Sequence, residues 1–220
     1  MVAIGEGAGR RTVALITDMD TPLGFGIGNS LEVMESMDVL KGHGPEDLTE
    51  VSLQLASNML YLVGKGTPEE CRAMAEKSIE DGSAFETFCT MVKAQGGDDA
   101  VLRDYTKFAQ APFKLDVLAD RDGFITKMNA EEIGETSVVL GAGRETKESD
   151  IDFSAGLVLH KKFGDAVKKG DSLVTLYTSK EESLKNAERM YREAITIGDK
   201  QPEKEPLVYA RVEKDKVEKY

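Results

Sequence analysis

The chain has 220 residues, of which 40% are hydrophobic and 31% charged, and its formal net charge is −12. This composition predicts a globular protein and argues against non-specific nucleic-acid binding, which needs clustered Lys and Arg. No apolar run approaches the length of a membrane span, and the first residues lack the pattern of a signal peptide. Cys71 and Cys89 have no metal-ligand spacing, which favours two reduced thiols in a cytoplasmic protein.

The first residues have the pattern of a helix end. Met1–Ile4 is apolar, no capping residue precedes it, and it runs into the glycine-rich segment Gly5–Arg10. We therefore expect Met1 to lie inside a longer natural sequence. Gly5–Arg10 carries an acid in its middle and precedes a strand, whereas a phosphate-binding loop follows one. We predict a connector turn there.

A strand, a turn and a helix follow in that order. Val13–Ile16 is an apolar run, the next segment is rich in Pro and Gly, and a helical repeat begins near residue 28. Backbone groups at the carboxyl end of a strand commonly line a ligand crevice in this arrangement.

Four helices are predicted between residues 28 and 110, each ended by a glycine. They begin near Gly28, at Pro45, at Thr67 and at Ser83. Thr67-Pro68-Glu69-Glu70 is a capping box with Pro at the first helical position. Each helix is polar on one side, which indicates packing against a sheet.

Strands and turns dominate after Ala111. Asp122-Gly123 predicts a hairpin between the first two of these strands. Further predicted elements are strands at Phe113–Ala119, Phe124–Thr126, Gly156–Lys161, Ser172–Thr178 and Leu207–Val212, helices at Ala130–Leu140 and Thr178–Ile197, and a solvated tail at Glu213–Lys216. The Gly-Asp repeat in Lys162–Asp171 resembles the turn of biotinyl and lipoyl carriers. Lys168 and Lys169 lack the acceptor signature of those carriers, which favours a structural hairpin.

The segments ITDMDTPLGFGIGNSLEV (residues 16–33) and LKGHGPEDL (residues 40–48) resemble the pyrimidine-nucleoside phosphorylase and thymidine phosphorylase family. The resemblance continues nearly to the last residue and covers only the second half of family members. It implies an α/β fold: the remainder of a mixed-sheet α/β domain with packed helices at residues 1–111. An α+β C-terminal domain with a flattened-barrel-like hairpin region would follow at residues 112–220.

The resemblance implies an enzyme that transfers the (deoxy)ribosyl group of a pyrimidine nucleoside to inorganic phosphate. The family's phosphate loop and base-binding residues belong to the half absent from this sequence. We therefore expect no catalytic residue here, an inactive fragment, and a homodimer for the full-length form, while the oligomeric state of this fragment stays open. Thymidine versus uridine preference stays open. The alternative is a non-catalytic binding or structural module. An anthranilate phosphoribosyltransferase-like enzyme is disfavoured, because those relatives lack the C-terminal strand domain.

The resemblance also implies part of a potassium site. Its ligands would be the carbonyl oxygens of Leu23 and Gly26 and the carboxylate of Glu35, at the end of the strand Val13–Ile16. A hard cation takes such oxygen ligands. The remaining ligands would come from the absent phosphate loop, so we expect weak binding. The alternative for Glu35 is an ordinary acid on a helix surface.

Two further features carry no assigned role. Gly141–Arg144 opens a polar run to Asp150 that predicts a mobile surface loop, in which Arg144 either contacts a ligand or is solvated. His43 and His160 have no nucleophile or metal partner at a recognisable spacing, so we assign neither to catalysis.

Overall fold

The protein is described by a computed structural model that covers residues 1–144 and 146–220. The helices are α1 Val2–Gly7, α2 Asn29–Leu40, α3 Glu46–Leu62, α4 Pro68–Glu80, α5 Ser83–Ala94, α6 Ala130–Leu140 and α7 Leu184–Ala194. The strands are β1 Ala14–Thr17, β2 Gly26–Ile27, β3 Phe113–Leu118, β4 Gly123–Met128, β5 Gly156–Leu159, β6 Ala166–Val167, β7 Ser172–Thr178, β8 Ile195–Gly198, β9 Val208–Val212 and β10 Val217–Lys219.

The predicted α/β class is confirmed. The strand pairs of the described residues are all antiparallel, and they form three open sheets rather than a closed barrel. None of the helices in these residues combines the length and hydropathy that crossing a membrane requires.

The chain divides into two compact units. The first unit contains Met1–Asp18, Asp38–Met91 and Glu205–Tyr220, and the second contains Met19–Met37 and Val92–Lys204. These units group residues by spatial contact, and the domain boundary after residue 111 stays a prediction.

The first unit has a three-stranded sheet in the order β1-β9-β10, with β1 at one edge. Helices α3 and α4 pack against each other in this unit. The predicted capping box is confirmed: the Thr67 side chain accepts from the Glu70 amide, and the Glu70 carboxylate accepts from the Thr67 amide. Satisfying these two donors stabilises the start of α4.

The second unit holds the larger hydrophobic core. Its sheets run in the orders β2-β5-β7-β3 and β6-β4-β8, and α6 packs against α7. The largest side chains buried there are Ile125, Ile133, Leu140, Leu157, Leu159, Leu173, Leu176 and Tyr191.

The predicted hairpin at Asp122-Gly123 is wrong. β3 pairs with β7, while β4 pairs with β6 and β8, so the two consecutive strands belong to different sheets. Gly123 is needed for another reason: a Cβ there would lie 2.5 Å from the carbonyl oxygen of Gly198. The Asp-Gly pair marks a close strand approach and not a tight reversal.

Three predicted bounds also change. Helix α1 continues through Gly7, so the predicted connector Gly5–Arg10 begins as helix. The predicted helix Thr178–Ile197 shortens to Leu184–Ala194, because residues from Ile195 pair with β4 as strand β8. The tail turns at Glu213–Lys216 and then adds β10 to the sheet of the first unit.

Candidate cation site

The candidate site is an irregular turn that leads into β2. Leu23, Gly24 and Phe25 form a bend, in which Gly24 has a φ of +72°. The next residues, Gly26 and Ile27, form β2 at the edge of its sheet and pair with β5. The bend therefore stands beside a strand with one unoccupied edge.

Glu35 faces this turn. Its Oε1 accepts hydrogen bonds from the amide of Phe25 at 2.9 Å and from the amide of Gly26 at 3.2 Å. Its Oε2 lies 3.2 Å from the same Gly26 nitrogen. Glu35 lies on α2, which starts at Asn29. Its carboxylate therefore contacts the turn that immediately precedes its own helix. These bonds give Glu35 a structural role in the turn whether or not a cation binds.

The ladder between β2 and β5 fixes the direction of the Gly26 backbone. The Leu159 amide donates to the Phe25 carbonyl at 2.9 Å, and Gly26 lies opposite Val158. Alternate residues of an antiparallel pair direct their N–H and C=O groups towards the partner strand or away from it. The N–H and C=O of Gly26 therefore point away from β5, to the edge where the Glu35 carboxylate lies.

A hard cation takes carboxylate and carbonyl oxygens as ligands. The Glu35 carboxylate and the Gly26 carbonyl lie on the same edge of β2. Among the described residues, no three His, Cys, Asp or Glu side chains are grouped so that they could hold a metal ion. The role of Leu23, Gly26 and Glu35 as ligands stays a prediction.

The start of α2 is held by several contacts. The Glu32 carboxylate accepts from the Gly28 amide at 3.0 Å. Gly28 has a φ of +137°, and a Cβ there would lie 2.6 Å from the carbonyl oxygen of Ala155. Only glycine fits both the conformation and this close approach, so the backbone between β2 and α2 is tightly packed.

A row of three hydrogen-bonded polar side chains on the sheet β2-β5-β7-β3 was not predicted from the sequence. The Thr175 hydroxyl donates to the Asp116 carboxylate at 2.5 Å, and His160 Nε2 lies 2.7 Å from the same hydroxyl oxygen. Because the single hydroxyl hydrogen points to Asp116, His160 Nε2 donates to Thr175. Register brings these residues together, since Asp116 lies opposite Thr175. These hydrogen bonds connect three side chains on the sheet, and we assign them no catalytic role.

The other residues singled out from sequence contribute less. The His43 amide donates to the Asp38 carbonyl in the connector after α2. Arg144 is exposed, and the rest of the predicted loop includes Glu145, which lies outside the described residues. Lys168 and Lys169 belong to a structured turn, where their amides donate to the carboxylates of Asp171 and Asp122.

Fold and turn together describe an α/β protein with an irregular turn held by a helix carboxylate and an antiparallel C-terminal part. The family model "Pyrimidine nucleoside phosphorylase C-terminal domain" matches residues 124–198. The pyrimidine-nucleoside phosphorylase of Geobacillus stearothermophilus is 47% identical over 213 residues, which are 96% of this chain and 49% of that protein. The Bacillus subtilis protein of the same name is 49% identical over 182 residues, 82% of this chain and 42% of that protein.

A Staphylococcus aureus pyrimidine-nucleoside phosphorylase is 44% identical over 200 residues, 90% of this chain and 46% of its own length. The chain thus spans about half the length of the curated relatives it matches. It belongs to the pyrimidine-nucleoside phosphorylase family, of which it represents the C-terminal half.

Proposed function

We propose that this chain is the C-terminal half of a cytoplasmic pyrimidine-nucleoside phosphorylase. The complete enzyme, a homodimer, transfers the (deoxy)ribosyl group of thymidine or uridine to inorganic phosphate and releases the free base. The observation that carries this proposal is the 47% identity with the Geobacillus enzyme over 96% of the chain. A match of that extent includes the turn, α2 and both sheets of the second unit.

The turn before β2 is the part of this chain that we place in the reaction. Leu23, Gly26 and Glu35 would hold a potassium ion, and the bound ion would supply a fixed positive charge that favours the phosphate anion. Glu35 keeps the Phe25 and Gly26 amides in position through its two hydrogen-bonding oxygens. Preorganised groups of this kind need no rearrangement when the substrate charge develops.

The chain alone is inactive in this proposal, because the family's phosphate loop and base-binding residues lie in the other half. Loss of a single catalytic donor commonly lowers the rate by a factor of about a hundred or more, and here a whole set is absent. We therefore expect no phosphorolysis of thymidine or uridine above background by the purified chain.

The test is complementation. The purified chain is assayed with phosphate and each nucleoside, first alone and then with the N-terminal half of the Geobacillus relative, with the intact relative as the reference. Restored phosphorolysis in the mixture supports the proposal. Turnover by the chain alone near that of the reference contradicts the expected inactivity. Two folded halves that associate without turnover favour a non-catalytic binding module.

A further inference from the structure

Residues between α6 and β5 form a segment that is closed at its base. The Asp152 amide donates to the Gly141 carbonyl at 2.9 Å, which brings the two ends of the segment together. The Asp152 carboxylate accepts from the amide and hydroxyl of Ser154 at 2.9 and 2.6 Å. Burial opposes ionisation of Asp152, but hydrogen bonds from Ser154 and Ser179 keep the pKa of its carboxyl below the usual value. The base of the segment is therefore well defined.

Both ends of this segment are also attached to the first residues of α2. The Asn29 side chain donates from Nδ2 to the Ala142 carbonyl at 2.7 Å, across 113 positions of sequence. The Ser30 amide donates to the Phe153 carbonyl at 3.1 Å. Of these two attachments, the one at Asn29 depends on a side chain and can be removed by substitution.

The same helix carries Glu35, whose carboxylate accepts hydrogen bonds from the amides of Phe25 and Gly26. We call the turn Leu23–Gly26 the cation turn. Asn29 and Glu35 are six residues apart on α2, about 9 Å along the helix axis. Hydrogen bonds between successive turns of the helix join the two positions, so order at one favours order at the other. Through Asn29 and Ser30, α2 connects the turn to both ends of the segment between α6 and β5.

We propose that Asn29 is a positioning residue that couples the cation turn to the segment between α6 and β5. A cation that orders the Phe25–Gly26 backbone would steady α2, and the Asn29 amide would pass this order to the Ala142 carbonyl. The inference rests on the proposed potassium site. It explains why an amide donor, and not a simple acid, stands at the first position of α2.

The test is hydrogen exchange of this chain in potassium chloride and in tetramethylammonium chloride at equal ionic strength, at salt concentrations high enough to occupy a weak site. One probe is the turn, through the amides of Phe25 and Gly26, and the other is the base of the segment, through the amide of Asp152. The variant is Asn29→Asp, which keeps size and places an acid in the first helical turn, where it favours the helix. It removes the donor to Ala142. The matched control is Asn186→Asp in the first turn of α7.

In the unaltered chain and in the control, potassium should slow exchange at both probes. In Asn29→Asp the bond from the Ser30 amide to the Phe153 carbonyl remains, so potassium should still slow exchange fully at the turn but less at the Asp152 amide. That amide should exchange about two- to tenfold faster, as expected for one lost hydrogen bond. Potassium protection of neither probe in the unaltered chain overturns the cation site itself. Protection of the turn alone in that chain overturns the coupling, and undiminished potassium protection of the Asp152 amide in Asn29→Asp shows that Asn29 is not the link.

Discussion

Replacing Glu35 by Gln tests the turn most directly. The carboxylate accepts from two backbone amides, and glutamine retains one acceptor oxygen but places an NH2 group near the Gly26 amide. Hydrogen bonds to charged groups contribute about 1.5–3 kcal/mol and neutral ones about 0.5–1.5 kcal/mol. We therefore expect Glu35→Gln to lower the free energy of unfolding of the second unit by about 1–2 kcal/mol.

The proposed cation would contribute to stability separately. A ligand that binds only the folded state raises stability with its concentration, so potassium should shift the urea midpoint of the unaltered chain relative to tetramethylammonium at equal ionic strength. Glu35→Gln should lose this shift. Glu32→Gln is the matched control, since Glu32 also lies on α2 and accepts from one backbone amide, that of Gly28. It should lower stability but keep the potassium shift. A Glu35→Gln variant that retains the full shift would refute the assignment of this carboxylate as a ligand.

Three further predictions follow from the described contacts. Tyr191 is fully buried, and its hydroxyl has no partner among the described residues, so Tyr191→Phe should leave stability unchanged or raise it by up to about 1–3 kcal/mol; a clear loss in urea unfolding would contradict this. The Arg72 hydrogen bond holds the pKa of Glu50 below its usual value. The contribution of this pair to folding stability is therefore fully present above the unfolded-state pKa of about 4.3, and it disappears as the pH falls through the folded-state pKa. It should amount to about 1 kcal/mol or less at this half-exposed pair, and the stability difference from Glu50→Gln should vanish in acid. Gly156 has a φ of +147°, and a Cβ there would lie 2.2 Å from a carbonyl oxygen of β2, so Gly156→Ala should abolish cooperative unfolding of the second unit. Gly134→Ala, which meets nothing within 4 Å, should be tolerated or raise stability by about 1 kcal/mol, and equal loss in both would contradict the steric argument.

The bounds of several elements were predicted correctly from residues within or next to those elements. The capping box at Thr67 and the helix Ala130–Leu140 with its left-handed glycine at Gly141 are found as predicted. The strand Ser172–Thr178 also has its predicted bounds. In the two helices, the residues at the ends supply the capping hydrogen bonds or the left-handed backbone conformation.

Long-range pairing was not available from the sequence. Asp122-Gly123 is a common hairpin signal, but partner choice depends on which strands the core brings together. An amphipathic helical pattern runs up to Ile195. The β-branched residues from Ile195 onwards pair with β4 and form strand β8 instead of continuing the helix. The chain of His160, Thr175 and Asp116 also arises from register, because no spacing in the sequence relates these three residues.

The candidate site shows the same division. Resemblance to the family supplied Leu23, Gly26 and Glu35, while the amide bonds of Glu35 and the orientation of Gly26 required the fold. Since an edge strand uses one side for its ladder, the Gly26 carbonyl lies on the other side of β2, the edge at which the Gly26 amide donates to the Glu35 carboxylate. These contacts come from β5 and α2, both of which lie within this chain. The geometry of the turn should therefore persist without the half of the relatives that this chain does not span, while in our proposal the affinity for a cation would depend on ligands from that half.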